Sequence, residues 1–209
     1  KYAAQNGSWS CTACPAGKYL SDNGNLASFH DTADDCFDCA LGMYSSNAGA
    51  SSCSACAAGR NASTTGLSAC GRCNPGSYQS ATGQARCEAC AAGTLSGWGA
   101  TGCSDCPTAR WSVVGSANCS ICDEGYFFDE TMPSASTKSN CRECPSHGVT
   151  CDKTGLILSK LDIKSGYYRI SSESWHDSQI RECPMGSAAC KGGENFTDGG
   201  DSYCHLGYE

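Results

Sequence analysis

The sequence predicts a small disulfide-rich fold. An elongated tandem array of short cysteine-rich loops, with little regular secondary structure, is followed by an irregular β-containing cysteine-rich domain. Three observations predict it. Cysteine and glycine supply 20 and 25 of the 209 residues, the density of a covalently stapled scaffold. Cys-x-x-Cys pairs return at near-constant intervals along the first two thirds of the chain. Large apolar residues are too thinly spread to build the single core that a globular domain of this length buries, so staples must replace packing.

The elements follow in order. Residues 1–13 open "KYAAQNGSWSC", which copies the "GKYLSDNG" portion of a later repeat, and read as the truncated end of an upstream repeat. The chain is accordingly expected to be a segment of a longer secreted or membrane-anchored protein. Residues 14–144 hold seven tandem repeats. Their cysteine pairs fall at Cys11/Cys14, Cys36/Cys39, Cys53/Cys56, Cys70/Cys73, Cys87/Cys90, Cys103/Cys106, Cys119/Cys122 and Cys141/Cys144. The step is 17 residues from Cys36 to Cys87, then 16, 16 and 22, and an insertion, "LASFHDTADD", lengthens the first interval. Each interval follows one template: Cys, three residues on a Gly, two more to an aromatic, then a second Gly. Glycines at fixed offsets predict turns that need positive φ or close backbone approach. Ala109 breaks the first-Gly rule; Leu95 and Asn61 break the aromatic rule that Tyr19, Tyr44, Tyr78, Trp111 and Phe127 follow. One ring per module, lying over a disulfide, is expected to be nearly the whole core of that module. Each module is expected to contact mainly its neighbours.

"CPAGKY" at Cys14–Tyr19 and its copies through Cys144 resemble ephrin-receptor-like (GCC2/GCC3) cysteine-rich repeats, and the first loop of tumour-necrosis-factor-receptor modules. The resemblance implies an extracellular array and leaves function open, because such modules serve receptors, adhesion proteins and structural proteins alike.

Residues 145–209 break the period and read as a non-repeat cysteine-rich domain, truncated at its C-terminus. Leu156, Ile157, Leu158, Leu161, Ile163, Tyr167, Tyr168 and Ile170 alternate loosely, which fits irregular strands or a hairpin better than a helix. "SGYYRIS" and the cysteines after it resemble a segment found after such repeats in very large extracellular proteins of protists and algae, mastigoneme-like proteins among them.

Repeated Cys-x-x-Cys pairs admit three chemistries. Paired knuckles are also zinc-site spacing, but every interval here is built to one template, which suits a loop closed within each interval. A redox pair needs its first cysteine at a helix N-terminus, and "CSAC", "CGRC" and "CEAC" sit between glycine-rich loops instead. Structural disulfides remain. One pairing scheme joins the second Cys of each pair to the first of the next; another interlocks first with first and second with second. The insertion after Cys14 is easier to accommodate in a single closed loop, which predicts Cys14–Cys36, Cys39–Cys53, Cys56–Cys70, Cys73–Cys87, Cys90–Cys103, Cys106–Cys119, Cys122–Cys141, Cys144–Cys151 and Cys183–Cys190. Cys11 and Cys204 then need partners outside the segment. Each closed loop of about 15 residues is worth about 3 kcal/mol by chain entropy.

No catalytic and no metal residues are expected. Trp175-His176-Asp177-Ser178 places triad residue types side by side, where they cannot converge. His30, His147, His176 and His205 lie far apart, and Glu194, Asp198 and Asp201, like Asp31, Asp34 and Asp35, match no calcium loop. The reading is therefore a non-enzyme without cofactors. A net charge of -7 without basic runs excludes nucleic acid as a partner, and no apolar run is long enough for membrane contact within this segment. Sequons at Asn6, Asn61, Asn195 and, less favourably because Cys119 follows it, Asn118 predict N-linked glycans. Asn61 takes the aromatic slot, so a glycan there requires that slot to face water. The expected function is a structural segment of a long extracellular stalk or filament whose partners are neighbouring copies or other subunits. The runner-up is a ligand-binding or adhesion ectodomain of a cell-surface receptor.

Overall fold

A computed structural model describes residues 2–3, 11–21, 32–132, 140–169, 179–188 and 190–193. They fall into two compact units, Lys1–Asp105 with Val113–Asn118, and Cys106–Ser112 with Cys119–Glu209. We number the modules by their closing disulfides, from module 1 (Cys14–Cys36) to module 7 (Cys122–Cys141).

Each module opens on a four-residue turn. The amide of Lys18 donates to the Pro15 carbonyl, that of Arg60 to Ala57 and that of Ser77 to Asn74, at 3.1, 3.1 and 3.0 Å. The third turn residue is the template's first glycine, with φ of 89°, 77° and 82° at Gly17, Gly59 and Gly76. This is a type II turn, which requires positive φ at that position. The two residues after the turn's glycine pair antiparallel with the two residues between the cysteines in modules 1 to 5. Tyr19 faces Phe37, Tyr44 faces Ser54, Asn61 faces Gly71, Tyr78 faces Glu88 and Leu95 faces Ser104. Tyr2 faces Thr12 in the same register. Two-residue strands are too short to stand alone, and here the disulfide beside each pair holds the register.

A backbone ladder joins successive modules. Gly59 N–H donates to the Gln79 carbonyl, Ala62 to Gln84, and Gly83 back to Cys56, at 2.7, 3.2 and 2.7 Å. The set recurs one module on, from Gly76 to Ser96, Gln79 to Ala100 and Gly99 to Cys73.

In modules 1 to 6 the residue at the ring position is not the core, whereas Phe127 of module 7 is fully buried. Tyr19, Tyr44, Tyr78, Leu95 and Trp111 are only half-buried, whereas the residue that follows each is buried: Leu20, Ser45, Gln79, Ser96 and Ser112, with Ala62 after Asn61. Leu20 packs on its own Cys14–Cys36 bridge, and Tyr44 lies against the Cys56–Cys70 bridge of the next module. Where the buried residue is polar it is satisfied: Ser45 Oγ donates to the Lys18 carbonyl and Ser96 Oγ to that of Ser77, at 3.0 and 2.9 Å. The expectation that one ring over a disulfide makes nearly the whole core of its module is corrected accordingly for modules 1 to 6. The Tyr44 ring lies on the following module because the ladder brings that module's disulfide beneath it.

The second unit packs by apolar side chains. Phe127, Leu158 and Leu161 form one buried cluster, and Val149, Ile163 and Ile180 another, with Cys144 and Cys151 touching both. In module 6 the strand register slips by one residue, Trp111 facing Ile121 and Arg110 facing Cys122. Ile121 is thereby half-buried, whereas the inter-cysteine residues of modules 1 to 5 are exposed. Beyond Cys144 the segment that departs from the sequence period keeps the module's hydrogen bonds. Cys144 donates to Gly125, Lys164 to Gly148 and Cys183 to Gly166, just as Cys73 does to Gly59. Phe127 pairs in parallel with Leu156 after Gly155, as Tyr19 does with Ala50 and Tyr78 with Ala100. Strands Leu156–Ile157, Asp162–Ile163 and Tyr167–Arg169 fill the apolar run, interrupted by a 3-10 turn at Leu158–Lys160.

Candidate functional site

The recurrent feature of the first unit is a stacking contact between each module and the next but one. A β-carbon added to Gly17 would overlap the carbonyl oxygen of Gly66; Gly42 meets Gly83 in the same way, Gly59 meets Gly99, and Gly76 meets Gly115. The first glycine of module n therefore sits on the second glycine of module n+2, and it is needed twice, for positive φ and for the absent side chain. To the neighbour contacts expected of such an array, this adds one between alternate modules.

A second contact accompanies it. The residue just before each module's second pair cysteine lies over the second glycine two modules on. Ala13 lies over Gly49, Asp38 over Gly66, Ala55 over Gly83, Arg72 over Gly99 and Ala89 over Gly115, with nearest side-chain atoms 2.9–3.8 Å from an ideal β-carbon. The occupants alternate: Ala13, Asp38, Ala55, Arg72, Ala89, Asp105. The backbone contact repeats at every module while its occupant alternates over two, and the charged residues belong to modules 1, 3 and 5. The signal was present in "CTAC", "CFDC", "CSAC", "CGRC", "CEAC" and "CSDC", where a search for one-module repeats passes over it.

Nine disulfides close the array: Cys14–Cys36, Cys39–Cys53, Cys56–Cys70, Cys73–Cys87, Cys90–Cys103, Cys106–Cys119, Cys122–Cys141, Cys144–Cys151 and Cys183–Cys190. Cys204 and the side chain of Cys11 lie outside the described residues. So do Asn6, Asn195, His30, His205, Asp31, Trp175 through Ser178, and Glu194, Asp198 and Asp201. No group of three metal-ligating side chains gathers among the described residues. Asp35 is occupied locally, accepting from the Thr32 amide at 3.0 Å. His147 stands between Ser146 Oγ at 3.2 Å and the Ile180 carbonyl at 3.3 Å.

The two described sequons differ in access. Asn61 is half-buried, its Nδ2 donates to the Ala85 carbonyl at 3.1 Å, and Cys87 Sγ lies 3.7 Å from its Oδ1. Its carboxamide bridges modules 3 and 4 in the slot where Tyr44 covers the next disulfide. Asn118 is exposed.

Ion pairs are sparse. Lys18 Nζ meets Asp38 at 2.9 Å across its strand pair. Buried Asp129 accepts from Thr131 Oγ1 at 2.6 Å and faces Arg142 Nε at 3.6 Å. Tyr78 donates its hydroxyl to Glu88 at 3.2 Å, and that hydrogen bond, with the carboxylate's charge, raises the phenol above its usual value. In the second unit a cleft of about 230 Å³ is lined by Ser120, Ile121, Cys122, Phe128, Gly155, Leu156 and Ile157.

The family described as tyrosine-protein kinase ephrin type A/B receptor-like matches residues 27–69, from within module 1 through module 2 and module 3 up to its closing Cys70. Comparison with curated proteins finds no match. Residues 27–69 are therefore similar to cysteine-rich modules of the ephrin-receptor-like class, and the disulfides of those modules continue in tandem beyond them. Such stapled modules mark an extracellular domain, since disulfides of this density persist in oxidising compartments. No helix of the described residues is long and apolar enough to cross a membrane.

Proposed function

We propose that the chain is a structural segment of a long glycosylated extracellular stalk or filament, of the surface-fibre or flagellar-hair type, partnered by neighbouring copies or other filament subunits. The carrying observation is the stacking of each module on the next but one through backbone atoms. A chain hinged only at nearest neighbours bends at every joint, whereas contacts that skip a module oppose bending across two joints at once. Immunogold labelling of intact cells with an antibody to this segment tests the reading. Gold along surface fibres supports it; gold confined to the plasma membrane, with no fibre labelled, overturns it. Peptide:N-glycosidase treatment followed by intact mass should release at least one glycan.

One observation favours the receptor-ectodomain reading instead. The cleft between Ile121, Phe128 and Ile157 is apolar and open to a small ligand group.

A further inference from the structure

The first position of each strand pair and the residue opposite it form a cross-strand couple whose composition varies along the array. Module 1 has Lys18 opposite Asp38, neutralised by their 2.9 Å ion pair. Modules 2 and 4 have Met43 opposite Ala55 and Ser77 opposite Ala89; module 5 has Thr94 opposite Asp105. Module 3 alone among these sets two like charges against each other, Arg60 opposite Arg72. Directly opposed like charges destabilise a strand pair, and neither arginine forms an ion pair with a described carboxylate.

One of the two guanidinium groups is nonetheless held in place. Arg60 Nη1 donates to the Cys70 carbonyl at 3.0 Å, which orients the fork and leaves its remaining donors unspent. Arg72 is exposed at its head, and its stem runs along the tip of module 5, with Cδ 3.7 Å from the ideal β-carbon position of Gly99. Two opposed forks, that of Arg60 oriented by its bond to Cys70 and that of Arg72 exposed, form a local cationic spot in a chain of net charge -7.

We infer that the Arg60–Arg72 couple is a docking site for the sulfate or carboxylate groups of an acidic polysaccharide. Planar forks match such oxyanions in two-point contacts, and the bond to the Cys70 carbonyl already orders that of Arg60. A second copy of the chain fits less well. The copy carries the same net charge of -7, so a broad face of it would add repulsion. A thin polyanion need meet only what lies within a screening length of about 8 Å at physiological salt. The site does not depend on whether the segment belongs to a stalk or a receptor.

The test uses the whole 209-residue chain, secreted with its disulfides formed. Binding of a fluorescent heparin hexasaccharide and of an oligogalacturonate of equal length is measured by anisotropy at low and physiological salt, with dextran as the neutral control. Wild type should bind at least one polyanion and weaken as salt rises. Arg72→Gln should weaken binding about tenfold. Arg72→Asp, which recreates the Lys18–Asp38 arrangement, should abolish it while thermal melting shows an intact fold. Because Arg60→Gln also loses the bond to Cys70, the exposed Arg72 carries the test. Absence of binding to both polyanions at low salt overturns the inference. So does a loss of less than about threefold in Arg72→Asp, or sedimentation showing that Arg72→Asp dissociates a dimer.

Discussion

Modules 1 to 5 and the second unit solve one folding problem with different materials. In the first, the buried residues are mostly disulfide cysteines and small or polar residues such as Ala62, Ser45 and Ser96. In the second, Phe127, Leu158, Leu161, Ile163 and Ile180 are buried as in an ordinary core. The backbone pattern is shared, since Cys144 donates to Gly125 as Cys73 does to Gly59. The glycine requirement is not. A β-carbon at Gly76 would strike the Gly115 carbonyl, whereas one at Gly125 meets nothing within 4 Å. The first unit stacks so closely that side chains are excluded. At Gly125 and Ala109 the second unit keeps the turn without the close approach, Ala109 holding the glycine position at φ 69°, whereas Gly148 and Gly192 are still crowded, by Ile180 and by the Ile163 carbonyl. Where apolar side chains fill the core, close backbone contact is no longer needed at every turn.

Full reduction should separate the regions most sharply. Each loop of modules 1 to 5 loses about 3 kcal/mol of chain-entropy stabilisation with no apolar core to replace it. Hydrogen exchange read by mass spectrometry should show their amides unprotected, with protection persisting around Phe127, Leu161 and Ile163. Equal loss in both regions would mean that the apolar clusters do not hold the second unit.

The next effect compares two glycines with the same turn. Gly76→Ala should cost about 4 kcal/mol or more, because backbone must move to admit the methyl group. Gly125→Ala should cost only the left-handed penalty of about 1–2 kcal/mol. Denaturant midpoints of the two variants, with disulfides intact, measure the difference; similar shifts would show that the stacking contact carries little energy.

Ala109 offers the converse change. Replacing it with glycine relieves an L-residue at positive φ and should stabilise the second unit by about 0.5–1 kcal/mol after the entropy of the added glycine is subtracted. A neutral or destabilising result in thermal melts would show that the alanine methyl packs favourably enough to offset its backbone strain.

The smallest expected effect is electrostatic. Because the Glu88 bond raises the folded phenol of Tyr78, its stabilisation is complete below the ordinary tyrosine value near 10.0 and is lost as pH rises through the raised one. Ultraviolet titration should find one tyrosine ionising later than in Glu88→Gln, and superimposable curves would count against the bond.

Much of this was legible in the sequence. The stapled fold class follows from cysteine density, and the type II turns follow from a glycine three residues after a cysteine, because both are local constraints. The destination of the rings was not legible. Tyr44 was assigned to its own module, yet the inter-module ladder places it on the Cys56–Cys70 bridge. The solvent-facing slot expected at Asn61 is likewise half-closed by Ala85 of the next loop. Composition could not reveal either, because each depends on where the neighbouring module lies.

The sequence by itself determined the turns, the spacing of the staples and the two-module alternation from Ala13 to Asp105. Only the tertiary structure decided that alternate modules touch, that module 6 slips its register, and that the module geometry continues past Cys144. Those contacts run through carbonyl oxygens and amide hydrogens, which every residue but proline carries alike. A side-chain code can therefore forbid a β-carbon at Gly17 or Gly76, but it cannot name the carbonyl that takes the vacated space.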